Sequence, residues 1–500
     1  MSKKKRDRQS ASQAPARHSG EGRNPVTGVI NRSTTAHDPI DNNLSPSLPK
    51  GWHRTTLGAV CSKPQYGWTT SAVKSGDVKL LRTTDITHGP IDWNDVPFCR
   101  DAPQDIEKYL LEEGDIVVSR AGSVGFSARV VAPERAVFAS YLIRFRPKAE
   151  IDGKYLAYFL QSPTYWAQVR GNTAGIAVPN VNASKLEAFA IPLAPVDQQN
   201  AIVAEIEKQF TRLDAGVAAL RRVQANLKRY RAAVLKAACE GRLVPTDAEL
   251  GRAEGRSYET AEQLLARILA DRRKNWRGRG KYKEPAALDT TNLPPLPEGW
   301  AWTNIEQLRV FSLYGPRFSS NDYAKDGYVV LRTTDISDSG KVDTTNAPRL
   351  RLSADDFAKY RTKRGDLLVT RTGSLGTLAI FDDEVEAIPG AYLILFRLAT
   401  KPVTTRYLFY FLKSPTAQHY LTGKGAGVGR PNLNAPTIED LPVPLPPIAE
   451  QERIVAEVER RLSVIEELEA TVADDFQRAA RLRQSILQHA FREETGTKSY

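Results

Sequence analysis

Residues 198 to 240 contain no proline and one glycine, Gly216, and their apolar side chains recur at helical spacing: Ile202, Ile206, Phe210, Leu213, Val217, Leu220, Leu227, Val234 and Ala238. Counting Gln224 and Arg231 as members, the steps from Ile206 to Val234 alternate between four and three, the spacing of a coiled-coil seam. Forty-odd residues rising 1.5 Å each predict a rod of about 60 Å, far longer than an ordinary globular helix. A stripe of this kind cannot stay uncovered, so it predicts a helical partner. The polar Gln224 and Arg231 interrupt it as register-setting residues do.

The partner is in the same chain. Val443 to Glu459 matches Ile191 to Glu207 at a constant offset, and the seam returns as Ile454, Val458, Leu462, Ile465, Val472, Phe476, Ala479, Ile486 and Ala490. The end of the first stretch is basic (Arg221, Arg222, Lys228, Arg229, Arg231, Lys236), and the start of the second is mostly acidic (Glu457, Glu459, Glu466, Glu467, Glu469). The other halves complement as well, with Glu205, Glu207 and Asp214 facing Arg478, Arg481, Arg483 and Arg492. Flanking charges select partner and direction, so an antiparallel pair is expected. The alternative is that these charges are solvated faces that contribute little.

The duplication extends beyond the rods. Leu296 to Trp300 echoes Leu48 to Trp52, and Leu331 to Ile336 repeats Leu81 to Ile86. Gly365 to Gly376 repeats Gly114 to Gly125, Tyr407 to Pro415 repeats Tyr155 to Pro163, and Pro431 to Asn434 repeats Pro179 to Asn182. Within each copy, runs such as Leu80 to Ile86, Asp115 to Ser119 and Tyr141 to Phe145 read as strands, and Lys154 to Leu160 as a helix stopped near Ser162-Pro163. The expected fold class is α/β: two similar mixed domains separated by two long helices that form an antiparallel coiled coil. The expected bounds are a disordered basic arm at 1–46, a first domain at 47–197, the first rod at 198–243 and a basic connection with a helix at 244–295. A second domain at 296–449, the second rod at 450–492 and a tail at 493–500 complete the chain.

Three cysteines, Cys61, Cys99 and Cys239, follow no ligand spacing, which argues against a zinc site or disulfide framework and for buried thiols in a reducing cytoplasm. No apolar run approaches a membrane span. The net charge of +12 favours a polyanionic partner. The run Arg272 to Lys283 interleaves cations with Trp276 and Tyr282, and reads equally as a grip on phosphate or as a solvated loop. No phosphate-binding loop, His-Glu-x-x-His or nuclease Glu-x-Lys is present, and the glycines Gly423, Gly425, Gly427 and Gly429 follow a helix rather than open one after a strand. No catalyst and no cofactor is nominated.

The order of domain, long helix, domain, long helix resembles the specificity (S) subunit of type I restriction-modification systems. The segments that carry it are Leu48 to Trp52, Leu81 to Ile86, Gly114 to Gly125, the lead into the helix over Ile191 to Glu207, and their second copies. The resemblance implies two target-recognition domains, each reading one part of a bipartite double-stranded DNA site. It also implies methyltransferase (M) subunits docked on the paired helices, restriction (R) subunits joining that core, and a noncatalytic role in which the partners flip and methylate adenine. Arg120, Gly122 and Ser123, with Arg371, Gly373 and Ser374 in the second copy, put a cation, a hydroxyl and a small residue just after a strand, where backbone can approach phosphate. Arg82, Thr83 and Thr84, and Arg332, Thr333 and Thr334, are similar. Because both halves share them, they read as framework or phosphate contacts, or as turns and core-edge hydrogen bonds. Discrimination is expected from stretches that differ, such as Tyr66 and Trp68 against Tyr314 and Arg317, although packing aromatics would explain that pair too. A coiled-coil scaffold that reads no DNA is the alternative function.

Overall fold

The computed structural model describes residues 48–87, 89–173, 180–276, 280–371, 377–424 and 433–492. The chain divides into two compact units, Met1–Lys50 with Glu493–Tyr500, and Gly51–Arg492. The expected basic arm and the tail lie outside the described residues, and the architecture that follows is that of Gly51–Arg492.

Two rods dominate, Val196–Cys239 and Ile448–Ala490. Each starts directly after a proline, Pro195 or Pro447, whose ring fixes the first dihedral, and each start is stapled by a buried glutamine. Gln199, with no exposed surface, donates to Ala194 O at 2.8 Å and accepts from Asp152 N at 2.7 Å. Gln451, equally buried, donates to Pro446 O at 2.8 Å. This explains why the Ile191 to Glu207 stretch occurs twice: the strand, the prolines and the glutamine fix the angle at which a rod leaves its domain.

The rods pair antiparallel. Val203, Ile206 and Phe210 share a core with Leu487 and Phe491. Leu227 packs with Ile465 and Val472, and Val234, Leu235 and Ala238 pack with Ile454, Val455 and Val458. Numbers rise along one rod as they fall along the other. Arg231 reaches Glu469 at 2.9 Å and Glu466 at 3.9 Å, Arg483 reaches Asp214 at 3.2 Å, and the Arg483 guanidinium lies 3.8 Å from the Phe210 ring centroid. Both expected charge couplings are therefore present, although Glu207 turns instead to Lys154 of its own domain. Gln224 is exposed and outside the seam, whereas Arg231 is half-buried and paired. Around Gly216 the seam loosens into a groove lined by Leu213, Val217, Leu220, Ala479 and Leu482. Gly216, with no atom within 4 Å of where its Cβ would be, and the small Ala479 in the same lining leave too little side chain to fill the interval.

Each domain carries a four-stranded antiparallel sheet, a second four-stranded sheet and a two-stranded ribbon in the same order. In the first domain Gln65–Tyr66, Leu142–Phe145, Ile116–Ser119 and Ser127–Arg129 lie side by side. Arg309–Tyr314, Leu393–Leu398, Leu367–Thr370 and Leu378–Ile380 do so in the second. The second sheets each contain one parallel pair, Lys79–Leu81 with Ala136–Phe138 and Tyr328–Leu331 with Ala387–Pro389. The ribbons join the first strand to the one that feeds the rod, His53–Thr56 with Ala190–Leu193 and Ala301–Asn304 with Pro442–Leu445. A tyrosine locks each feeder strand: Tyr155 donates to Pro192 O and Tyr407 to Pro444 O, both at 2.6 Å. The strand expected over 80–86 ends at Leu81, because Asp85 accepts from Arg82 N and curls Thr83–Ile86 into a 3-10 turn. The helix expected to stop near Pro163 is followed at once by another, Pro163–Thr173, in which proline occupies the tolerated first position.

The far end of each rod enters the other domain. Phe491 and Leu487 have almost no exposed surface, and the Phe491 ring meets Tyr155 and Phe159 at 5.1 and 5.5 Å. Val234 and Leu235 cluster with Trp300 and Tyr407. The connection also belongs to this frame: its helix Ala261–Lys274, capped by Thr260 and Gln263, buries Ala261, Leu264 and Ile268 in the core of the second domain. An earlier short helix, Asp247–Glu254, is anchored where Asp247 N and Trp300 Nε1 both donate to Glu450, at 2.9 Å each. Arg453 pairs with the buried Asp247 at 3.0 Å. Cys61, Cys99 and Cys239 are buried free thiols, pushed up by burial to about 12, 11 and 12 respectively. They remain protonated and inert near neutrality.

Two outcomes follow from this packing. Truncating Phe491→Ala opens a cavity among Tyr155, Phe159 and Leu487, and should cost about 3–5 kcal/mol in urea denaturation; a loss below about 1 kcal/mol would mean that the rod end is not seated there. Burial holds the Glu450 carboxyl above its ordinary 4.5, opposed by the hydrogen bonds it accepts. A folded-state pKa raised in this way means that ionisation weakens the fold as pH rises through it, and that the full benefit is present below the unfolded value. Against Glu450→Gln, wild type should therefore gain stability as the pH is lowered from neutrality towards the ordinary carboxyl value, read from paired denaturation curves; a flat difference would refute the burial argument.

Candidate nucleic-acid interface

In each domain four connections converge on one edge of the sheets. In the first, Gly67 N donates to Leu142 O, Trp68 N to Phe138 O, Arg120 N to Tyr141 O and Val181 N to Arg120 O. In the second, Gly315 N donates to Leu393 O, Arg371 N to Tyr392 O and Leu433 N to Arg371 O. The turn after Ile116–Ser119 or Leu367–Thr370 therefore sits between the tyrosine-glycine pair, the turn at 139–142 or 390–393, and the segment leading into the short helix Ala183–Glu187 or Ala435–Glu439.

The Tyr-Gly pair is common to both edges and is structural. A Cβ on Gly67 would sit 2.3 Å from Ala139 O, and one on Gly315 2.1 Å from Gly390 O, so only glycine lets the two backbones cross. The Tyr66 hydroxyl accepts from Ala183 N at 3.0 Å and that of Tyr314 from Ala435 N at 2.7 Å, each holding the first turn of the short helix. Over these rings lie the cations: Arg120 is 5.0 Å from the Tyr66 centroid and Arg371 4.7 Å from that of Tyr314. Tyr66 and Tyr314 thus orient arginines in both halves rather than marking a difference between them. The difference begins just beyond the shared glycine. Trp68 is half-buried, donates to Asp101 O at 2.9 Å and packs edge-on against Tyr109, whereas Arg317 in the corresponding loop is exposed.

The Arg-Thr-Thr turns resolve in the same way. Arg82 grips Asp85 with Nε at 3.1 Å and Nη2 at 2.7 Å, and Arg332 grips Asp335 at 3.1 and 2.6 Å. Arg332 also donates to Asn346 O at 3.1 Å. The forks are occupied by a carboxylate, and both guanidinium pKa values are raised, first by that hydrogen bond. Thr83 and Thr333 are half-buried, and Thr84 and Thr334 are exposed on the turn. Gly122, at φ +75°, and Ser123 stand exposed beyond Arg120; Gly373 and Ser374 lie outside the described residues. The structure thus brings Tyr66, Trp68, Arg120 and its turn together on one edge and Tyr314 and Arg371 on the other, with Arg317 in the adjoining loop.

Two residues were not singled out from the sequence. Tyr141 and Tyr392 hold the same place in both halves, immediately before the strands Leu142–Phe145 and Leu393–Leu398, and each is 60 % exposed. The repeated tyrosine ahead of a Leu-Ile pair was the available signal. Among the described residues no group of histidine, cysteine and carboxylate side chains could hold a metal ion, and no helix is long and apolar enough to cross a membrane.

Known proteins share both pattern and architecture. A family model described as Type I restriction modification DNA specificity domain matches residues 49–219 and again 297–471. The Type I restriction enzyme EcoBI specificity subunit of Escherichia coli is 24 % identical over 471 residues, covering 92 % of this chain and 90 % of its own length. The EcoKI specificity subunit of Escherichia coli strain K12 is 25 % identical, covering 89 % of this chain and 90 % of its own length. Among solved structures, a chain from one devoted to complex assembly and conformational transition of the type I R-M system has the same fold, with a TM-score of 0.58 at 21 % identity over 89 % of this chain and 98 % of that one. With its two matched regions taking in both domains and much of both rods, the chain belongs to the type I restriction-modification DNA specificity family.

Proposed function

We propose that this chain is the noncatalytic DNA-recognition subunit of a type I restriction-modification complex, reading an asymmetric bipartite duplex with one domain on each half-site. The observation that carries this reading is the pair of heads with one topology and unlike edge residues, each clamped by both rods. The shared features, Arg120 over Tyr66 and Arg371 over Tyr314, suit phosphate, which offers the same chemistry at every site. The unlike ones, Trp68 against the Arg317 loop, suit base edges or groove shape. Methyltransferase subunits would dock on the paired rods, where Leu482 is 51 % exposed beside the groove at Gly216. Restriction subunits would join through that core. The positive charge favours capture of duplex DNA, and buried free thiols fit work in a reducing cytoplasm.

Sequencing methylated adenines in cells with and without the gene tests the reading directly: one bipartite motif should vanish with the gene, and an unchanged pattern would leave only a scaffold. The rods supply a finer test. Seven residues add about 10.5 Å to a helix, close to three base pairs at about 3.4 Å each. Inserting one heptad at matched levels of both rods should lengthen the spacer of the methylated motif by about three base pairs with both half-sites unchanged; an unaltered spacer would show that the rods do not set it. For Arg317→Ala, competition binding should show relaxed preference at one base pair of one half-site, worth about 1–3 kcal/mol. Uniform weakening on all duplexes would reassign Arg317 to phosphate.

A further inference from the structure

One duplicated feature of the edges takes no part in the pairing of arginine with ring. Tyr141 and Tyr392 are the most exposed of the large apolar and aromatic side chains among the described residues, and they occupy equivalent places. A single exposed aromatic is ordinary on a protein surface. Here the backbone around each is built alike. Leu142 N donates to Ala139 O at 2.8 Å and Leu393 N to Gly390 O at 2.9 Å, which closes a four-residue turn with the tyrosine at its third position. The carbonyl of each tyrosine accepts from the arginine of the phosphate-suited pair, Arg120 N at 2.8 Å and Arg371 N at 3.0 Å. Among the described residues neither tyrosine hydroxyl has a hydrogen-bond partner. With 60 % of each residue exposed, packing gives the ring little to do, and among the described residues its hydroxyl holds nothing.

Resting on the DNA-recognition reading, we propose that Tyr141 and Tyr392 each donate a hydroxyl hydrogen bond to a backbone phosphate of their own half-site, forming with Arg120 and Arg371 two equivalent sequence-independent clamps. Phosphate rather than base is the occupant because the residue is the same on two heads whose neighbouring loops differ, so it cannot supply the difference between half-sites. Tyrosine hydroxyls are among the groups that hold DNA phosphates and set register without reading sequence. The turn that carries the donor is bonded through its backbone to an arginine whose guanidinium is steadied by a ring, Tyr66 or Tyr314, so the two residues can grip the sugar-phosphate chain at two points.

The test uses the full chain assembled with its methyltransferase subunit and the bipartite duplex that wild type selects. Tyr141→Phe and Tyr392→Phe remove only the hydroxyl of an exposed side chain, so the melting curve should not move. Each should weaken binding about tenfold, the scale of a hydrogen bond to a charged group, by the same factor on cognate and altered duplexes. The salt dependence should keep its slope, because no cation is lost, whereas Arg120→Gln should reduce that slope by about one. Wild-type affinity in both Phe variants overturns the proposal. So does a loss confined to the cognate duplex, which would make the tyrosines base readers, or a loss of methyltransferase affinity measured without DNA. If wild type selects no duplex at all, the recognition reading itself fails; if wild type selects and the Phe variants match it, only the tyrosine assignment does.

Discussion

The structure depends on an exchange of ends. A coiled-coil pair alone would hold two heads loosely, because each head would hang from one helix terminus and pivot about its linker. Here Phe491 and Leu487 of the second rod enter the core around Tyr155 and Phe159, while Val234, Leu235 and Ala238 of the first enter the cluster around Trp300 and Tyr407. Each head is therefore held by the start of its own rod and the end of the other. Burying side chains of this size contributes about 1.5–3 kcal/mol each, against ion pairs such as Arg231 with Glu469 that are partly solvated and contribute at most about 1 kcal/mol. The apolar ends fix the separation, and the charges along the rods choose the direction.

That division of labour explains why the middle of the rods can be poorly packed. Around Gly216 the seam opens into a groove with Leu482 exposed, which a lone coiled coil would tolerate badly. With both ends locked, the middle is released from holding the fold and can serve a partner. Gln199 and Gln451, buried where the two rods begin, do the complementary work of setting the exit angle by local hydrogen bonds. The extra connector helix on the second head adds a further clamp through Glu450, Trp300 and Asp247 for which the first head has the simpler hydrogen bond of Trp52 to Gln198.

Much of this was legible in the sequence, for identifiable reasons. The rods and their antiparallel course follow from a periodic stripe and two blocks of opposite charge, and the repeat of the domains from motifs in the same order. What misled was local. Leu80 to Ile86 reads as a strand by composition, but a carboxylate three residues after Arg82 reverses the chain. The Tyr66 and Tyr314 stretches look like variable loops because their neighbours differ; that the glycine after each must let another backbone pass within van der Waals contact is a fact of tertiary structure with no local trace. The helix of the basic connection is legible from its capping pair and apolar side, but that Ala261, Leu264 and Ile268 enter the core of the second head is decided by tertiary packing.

The charged residues at the edges sort by what each one already holds. An arginine in a repeated motif invites a ligand, but Arg82 and Arg332 are neutralised within their own turns by Asp85 and Asp335, so their repetition reflects the geometry of the turn. Arg120 lies against a ring, and a ring leaves the charge in place while restricting where it points. A duplicated cation held that way, beside a duplicated and solvent-exposed tyrosine, is what two heads of common descent would keep if they bind the same backbone while reading different bases. On the proposed reading, the shared residues would meet what is constant in DNA and the unlike loops beside them what varies.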